Sequence, residues 1–81
     1  MAKKPQHKIP VSARAAIARI NRKLRSDFEV LKTARSESVE RNVGRYFILD
    51  VQHNYIAHVH QDLETLGRKL GVLQEWETVT E

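Results

Sequence analysis

Two short strand-like segments, separated by three residues, constrain the fold of this chain more than any other feature. Residues 45–51 are rich in aromatic and β-branched side chains, residues 55–60 alternate apolar with polar, and residues 52–54 lie between them. This pattern predicts an antiparallel hairpin whose loop uses the left-handed conformation at Asn54. Because an isolated hairpin is only marginally stable in water, other elements must cover one of its faces.

The predicted register pairs Val51 with Tyr55 and gives the hairpin one apolar face. That face would carry Phe47, Leu49, Val51, Tyr55, Ala57 and Val59. The wetter face would carry Tyr46, Ile48, Asp50, Ile56, His58 and His60. Both edges of such a hairpin are open, so a homodimer paired through one edge is a further expectation.

Two amphipathic segments can supply the cover. In the first, apolar residues recur every three or four positions after an N-cap at Ser12, which predicts a helix ending near Thr33 or Ala34. Its stripe is Ala13, Ile17, Ile20, Leu24, Phe28 and Leu31. The second helix starts at Asp62, stops near Gly71 and carries Leu63, Leu66, Leu70 and Leu73.

These elements predict a small α+β domain of order α-β-β-α, with both helices packed on the apolar face of the hairpin. Residues 1–10 are read as a flexible basic arm, residues 11–76 as the single domain and residues 77–81 as an acidic tail. The polar segment 35–44 is read as a connection. The chain has 81 residues and no cysteine, and it lacks an apolar run long enough to span a membrane, so a cytoplasmic location is expected.

The charge is divided along the chain. Residues 1–26 contain eight bases and no acid. Residues 1–45 carry 12 bases and 4 acids, whereas residues 46–81 carry 2 bases and 6 acids, so the formal charges are +8 and −4. The overall charge of +4 therefore conceals a strongly basic first half.

The basic residues of the first helix lie opposite its apolar stripe or at its flank, and lysines of the arm precede them. Such a surface is typical of a helix that lies along a phosphate backbone, which predicts binding to DNA or RNA. An acidic host protein would suit the same surface, and so would plain solvation of a soluble protein. The candidate binding residues are Lys3, Lys4, Lys8, Arg14, Arg19, Arg22, Lys23 and Arg25.

His58 and His60 form a second, weaker candidate. Histidines two residues apart on a strand point the same way, an arrangement that suits a divalent metal ion. A catalytic zinc site needs three protein ligands, however, and Asp62 is already explained as a helix cap. No nucleophile elbow and no phosphate-binding glycine loop is present in the sequence. We therefore expect a binding protein that is not an enzyme and needs no cofactor.

Residues 12–24 and 44–77 also resemble a group of known proteins. The resemblance rests on the start of the first strand at Arg45 and Tyr46, the hairpin from Asp50 to Asn54, and the helix start at Asp62. On these features the chain is similar to small uncharacterised accessory proteins carried by phages, prophages and plasmids of proteobacteria. The resemblance implies a binding role, toward DNA, RNA or an inhibited host protein, as in anti-CRISPR and anti-restriction proteins.

Overall fold

A computed structural model describes residues 9–80, which form an α+β fold. Three α-helices, a short 3-10 turn and five strands in two sheets make up these residues. In chain order they are β1 (Ile9–Ser12), α1 (Ala13–Leu24), the 3-10 turn (Arg25–Asp27), β2 (Glu29–Thr33), α2 (Glu37–Val43), β3 (Tyr46–Asp50), β4 (Tyr55–Gln61), α3 (Leu63–Lys69) and β5 (Glu77–Thr80).

The predicted first helix is correct at its start and wrong at its end. Ser12 is the N-cap, and its hydroxyl accepts a hydrogen bond from the Ala15 N–H at 3.0 Å. The helix ends at Leu24, nine residues before Thr33, because Phe28 takes a left-handed conformation at φ 58° and turns the chain back. Phe28 is consequently 56% exposed, where the stripe had placed it in the core.

The segment predicted as the last helical turns is strand β2. It pairs antiparallel with β3, and together with β4 they form a sheet of order β2-β3-β4. The Leu31 N–H, on the open side of β2, donates instead to Oδ1 of Asn21 on α1 at 2.6 Å. Leu31 is buried in either reading, so its place on the stripe could not distinguish helix from strand.

The polar connection after β2 contains helix α2. Ser36 is its N-cap, accepting a hydrogen bond from the Val39 N–H at 3.3 Å. The helix has seven residues, none of them buried, so it lacks the apolar stripe by which a helix is recognised in a sequence.

The hairpin of β3 and β4 is confirmed, and Asn54 has the expected left-handed conformation at φ 57°. Its predicted register and faces are wrong. Asp50 pairs with Tyr55, Leu49 with Ile56 and Ile48 with His58, and the register shifts twice along β4. The core side of β3 is Tyr46 and Ile48, which pack against α1 and α3, and the changed pairing places Tyr55 instead of Ile56 on the same side as Asp50.

The two ends of the described chain form the second sheet. Strands β1 and β5 run parallel, with Val11 opposite Val79. Ile9 and Pro10, assigned to the arm, and residues 77–80, assigned to the tail, are thus part of the folded domain. The two strands pair in parallel and lie far apart in sequence, so no local sequence pattern predicts their pairing.

The core lies between the helices and the two sheets. One cluster joins α1, β2, β3 and α3 and consists of Ile20, Leu24, Leu31, Tyr46, Ile48, Leu63 and Leu66. A smaller cluster of Val11, Ala16 and Leu73 lies beside the terminal sheet. Within residues 9–80, none of the helices has the length and apolar character needed to cross a membrane.

Two glycines have left-handed conformations, and only one of them is crowded. Gly44 has φ 86°, and a Cβ there would come within 2.7 Å of the His60 Cα atom. Gly71 has φ 77° at the end of α3, as predicted for a helix-breaking glycine, and a Cβ there would meet no atom within 4 Å. The same substitution should therefore have different costs at the two sites.

We expect Gly44→Ala to lower the free energy of unfolding by about 3 kcal/mol or more, since it adds a backbone clash to backbone strain. Gly71→Ala, its matched control, should lower it by about 1 kcal/mol through strain alone. Urea denaturation followed by circular dichroism measures both. Equal losses for the two variants would show that the approach of β4 to Gly44 is not tight.

Candidate nucleic-acid interface

One sector of the helix surface carries three arginines: Arg14 and Arg22 of α1, and Arg25, the C-cap residue that continues its helical conformation. At 100° per residue, Arg14, Arg22 and Arg25 fall within about 80° of each other around the helix axis, and they span about 16 Å along it. All three are exposed. The buried residues Ala16, Ile20 and Leu24 occupy the opposite side, so packing of the apolar stripe fixes the direction in which these arginines point.

The surface between the arginines carries one small exposed side chain, that of Ala18, and α1 contains no acidic residue. Within residues 9–80, the side chains of the exposed bases at 14, 22, 23 and 25 form no hydrogen bond or ion pair. Their positive charge is thus available to a ligand, and the small side chain of Ala18 allows that ligand to come close to the helix.

Arg19, also predicted as a binding residue, has a structural role instead. Its Nη1 donates to both carboxylate oxygens of Glu77, at 3.0 and 3.1 Å, and lies 3.2 Å from the Val72 carbonyl oxygen. The bond from the Gln74 N–H, reinforced by Arg19, lowers the pKa of Glu77. Arg19 therefore ties α1 to the segment that leads into β5, and its charge is neutralised.

Lys23 lies at the flank of the basic sector, beside Arg19. Together with Arg22 and Val72, these two side chains line a shallow depression of about 240 Å³. The depression extends the positive surface from the exposed side of α1 toward the turn after α3. Lys3, Lys4 and Lys8, the other predicted binding residues, lie outside the described residues.

The carboxylate of Glu64 on α3 closes the outer edge of β5. Its Oε1 accepts from the Val79 N–H and the Thr78 hydroxyl, both at 2.9 Å, and its Oε2 accepts from Arg68 Nη1 at 2.9 Å. Arg68 Nη2 in turn donates to the Glu77 carbonyl at 2.8 Å. These bonds, led by that of Val79, hold the pKa of Glu64 at about 2, below its ordinary value of 4.5.

The sequence reading missed both acidic partners of this network. Glu64 and Arg68 are four residues apart on a helix, a spacing that marks them as an ion pair. Arg19 and Glu77 are 58 residues apart and could be joined only by the three-dimensional fold.

The histidine pair does not form the arrangement on which the metal hypothesis rested. Pairing along β4 is irregular, and His60 has φ 53°, so the strict alternation of side chains is broken. His58 lines a groove with Leu24, Lys69 and Leu70, whereas His60 packs against Gly44. Among residues 9–80, no three histidine, aspartate or glutamate side chains gather closely enough to hold a metal ion.

Comparison of the chain with protein-family models, with the curated proteins and with solved structures finds no match.

The stability conferred by Glu64 should depend on pH in a defined direction. Because its folded pKa is depressed, the carboxylate stabilises the fold fully above pH 4.5, and this contribution is lost as the pH falls from 4.5 toward 2. We expect Glu64→Gln to lower the free energy of unfolding by about 1–2 kcal/mol at pH 7 and by much less near pH 2. Urea denaturation at several pH values measures the difference.

Glu40→Gln is the control, since Glu40 is exposed and its side chain makes no polar contact within the described part of the chain. It should change stability little at any pH. A loss for Glu64→Gln that is the same at pH 7 and pH 2.5 would contradict the role of the ionised carboxylate.

Proposed function

We propose that this protein is a non-enzymatic nucleic-acid-binding protein whose helix α1 lies along a phosphate backbone. The observation that carries the proposal is the exposed sector of Arg14, Arg22 and Arg25, which surrounds Ala18 and has no acidic partner among residues 9–80. Arginine is well suited to this task because its planar guanidinium can donate two parallel hydrogen bonds to one phosphate group.

The arrangement favours contact with the backbone over reading of bases. Binding by such a surface gains free energy mainly from the release of counterions, which does not depend on nucleotide sequence. Nothing on the exposed side of α1 supplies an aromatic platform for base stacking, since its residues there are arginine, alanine and lysine. The ligand class is therefore double-stranded DNA or RNA, bound with little sequence preference.

The lysines of residues 1–8 would add to this surface. Lys3, Lys4 and Lys8 precede β1, which continues directly into α1 without an intervening loop. Additional phosphate contacts from that segment would raise both affinity and salt dependence. The resemblance to small proteins of phages and plasmids favours an accessory role beside the nucleic acid of a mobile element.

We expect a labelled 20-base-pair DNA or RNA duplex to bind at low salt, with affinity that falls steeply as salt rises. Arg14→Glu and Arg22→Glu should each weaken binding by about tenfold, and each should reduce the salt slope by about 1. Fluorescence anisotropy at several sodium chloride concentrations measures both quantities.

Lys32→Glu is the matched control, because it makes the same charge reversal at an exposed residue of β2 that lies on the side of the sheet opposite the core and α1. It should leave affinity within about twofold. Arg19→Gln should destabilise the fold through loss of the Glu77 contact, with little effect on binding by the folded protein. Absence of binding to either duplex at low salt would contradict the proposal and favour an acidic protein as the partner. Equal losses for Lys32→Glu and Arg22→Glu would contradict the assignment to α1.

A further inference from the structure

Three of the four strand edges carry a feature of the chain itself that hinders pairing with another strand. On β2, Asn21 accepts the Leu31 N–H. On β5, the Glu64 carboxylate accepts the outward N–H of Val79, and Arg68 donates to the outward carbonyl of Glu77. On β1, Pro10 lacks the backbone N–H that a pairing strand would need. Natural proteins block sheet edges in these ways because unpaired strand groups invite pairing with another chain.

The edge of β4 is open at Ile56. The Val51 N–H donates to the Phe28 carbonyl, and the Ala34 N–H donates to the Arg45 carbonyl. Because the direction of the backbone groups alternates along a strand, Leu49 also directs its N–H and carbonyl toward β2. The backbone N–H and carbonyl of Asp50 therefore face its partner Tyr55 on β4. The next residue along β4, Ile56, then directs its N–H and its carbonyl away from β3, and within residues 9–80 no group pairs with them.

The side chains of this edge do not oppose pairing. Residues 55–61 include no lysine, arginine, aspartate or glutamate, the residues that usually protect an edge strand. Tyr55, Ile56 and Val59 are instead large apolar side chains that are exposed, with Ile56 at 42%. Only the far end of the strand is protected, where the Gln61 amide donates to the Val59 carbonyl at 2.9 Å and the pairing is bulged.

We propose that the β4 edge pairs with the same edge of a second copy of this chain, antiparallel, about a two-fold axis at Ile56. In this arrangement the Ile56 N–H of each copy donates to the Ile56 carbonyl of the other, so one residue supplies both donor and acceptor. The absence of formal charge favours a second copy, because like strands then meet without repulsion. The two three-stranded sheets become one continuous sheet.

The dimer also extends a cross-strand row of apolar side chains. Val30, Leu49 and Ile56 are register partners across the sheet and lie on the side away from the core. Pairing at Ile56 joins this row to its copy, which buries part of the exposed isoleucine. A two-fold axis perpendicular to the sheet also leaves α1 of both copies on the same side. The proposal does not rest on nucleic-acid binding.

Sedimentation equilibrium of the purified chain, from about 10 µM to 1 mM, tests the proposal. Because the regular part of the edge is short, we expect a dimer whose dissociation constant is on the order of 100 µM. Ile56→Lys places two like charges at the axis, and Ile56→Pro removes the outward N–H. Each should raise the dissociation constant by about tenfold or more.

Val30→Lys is the control, since it makes the same substitution in the same cross-strand row but on β2, two strands from the axis. It should dimerise like the parent chain. Hydrogen exchange of the Ile56 amide gives an independent readout, with protection that rises with protein concentration. A monomer at every concentration, or a dimer that both Ile56 variants preserve, would overturn the proposal. Circular dichroism confirms that each variant is folded.

Discussion

The hydrogen bonds of the Glu64 carboxylate hold β5, and through β5 they fix the placement of both ends of the described chain. The carboxylate accepts bonds from Arg68 on its own helix and from Thr78 and Val79 on β5, and so it takes the place of a neighbouring strand. A parallel pair of short strands is a weak element by itself, because each strand has an outer row of unpaired groups. With that row satisfied on one side, β5 can hold β1, and β1 leads directly into α1.

The same contacts decide which charges of the basic half remain available. The acidic half does not neutralise the basic half as a whole. Glu64 pairs with Arg68 on its own helix, and Glu77 pairs with Arg19 on α1. The remaining bases of α1 point outward because the apolar stripe on the other side is buried against the sheet and α3. The basic surface that α1 presents is therefore smaller than its sequence suggests, by one arginine.

The sequence predicted features that depend on neighbouring residues and not those that depend on distant ones. The caps at Ser12 and Asp62 and the turn at Asn54 are confirmed, since each is specified by a few adjacent residues. The hairpin faces were wrong because residues 46–49 are all apolar, so alternation could not show which side of β3 would face the helices. In the candidate site, the exposed arginines could be predicted from helical spacing. The ion pair between Arg19 and Glu77 could not, because only the fold brings these two residues together.

The proposed nucleic-acid-binding surface is the exposed side of α1. A titration of ¹⁵N-labelled protein with a DNA duplex at low salt, followed by two-dimensional NMR, tests it most directly. We expect the largest chemical-shift changes on the backbone of residues 14–25 and on the arginine side chains at 14, 22 and 25. Changes centred on the outward side of the β2-β3-β4 sheet, or none at all at millimolar duplex, would contradict it.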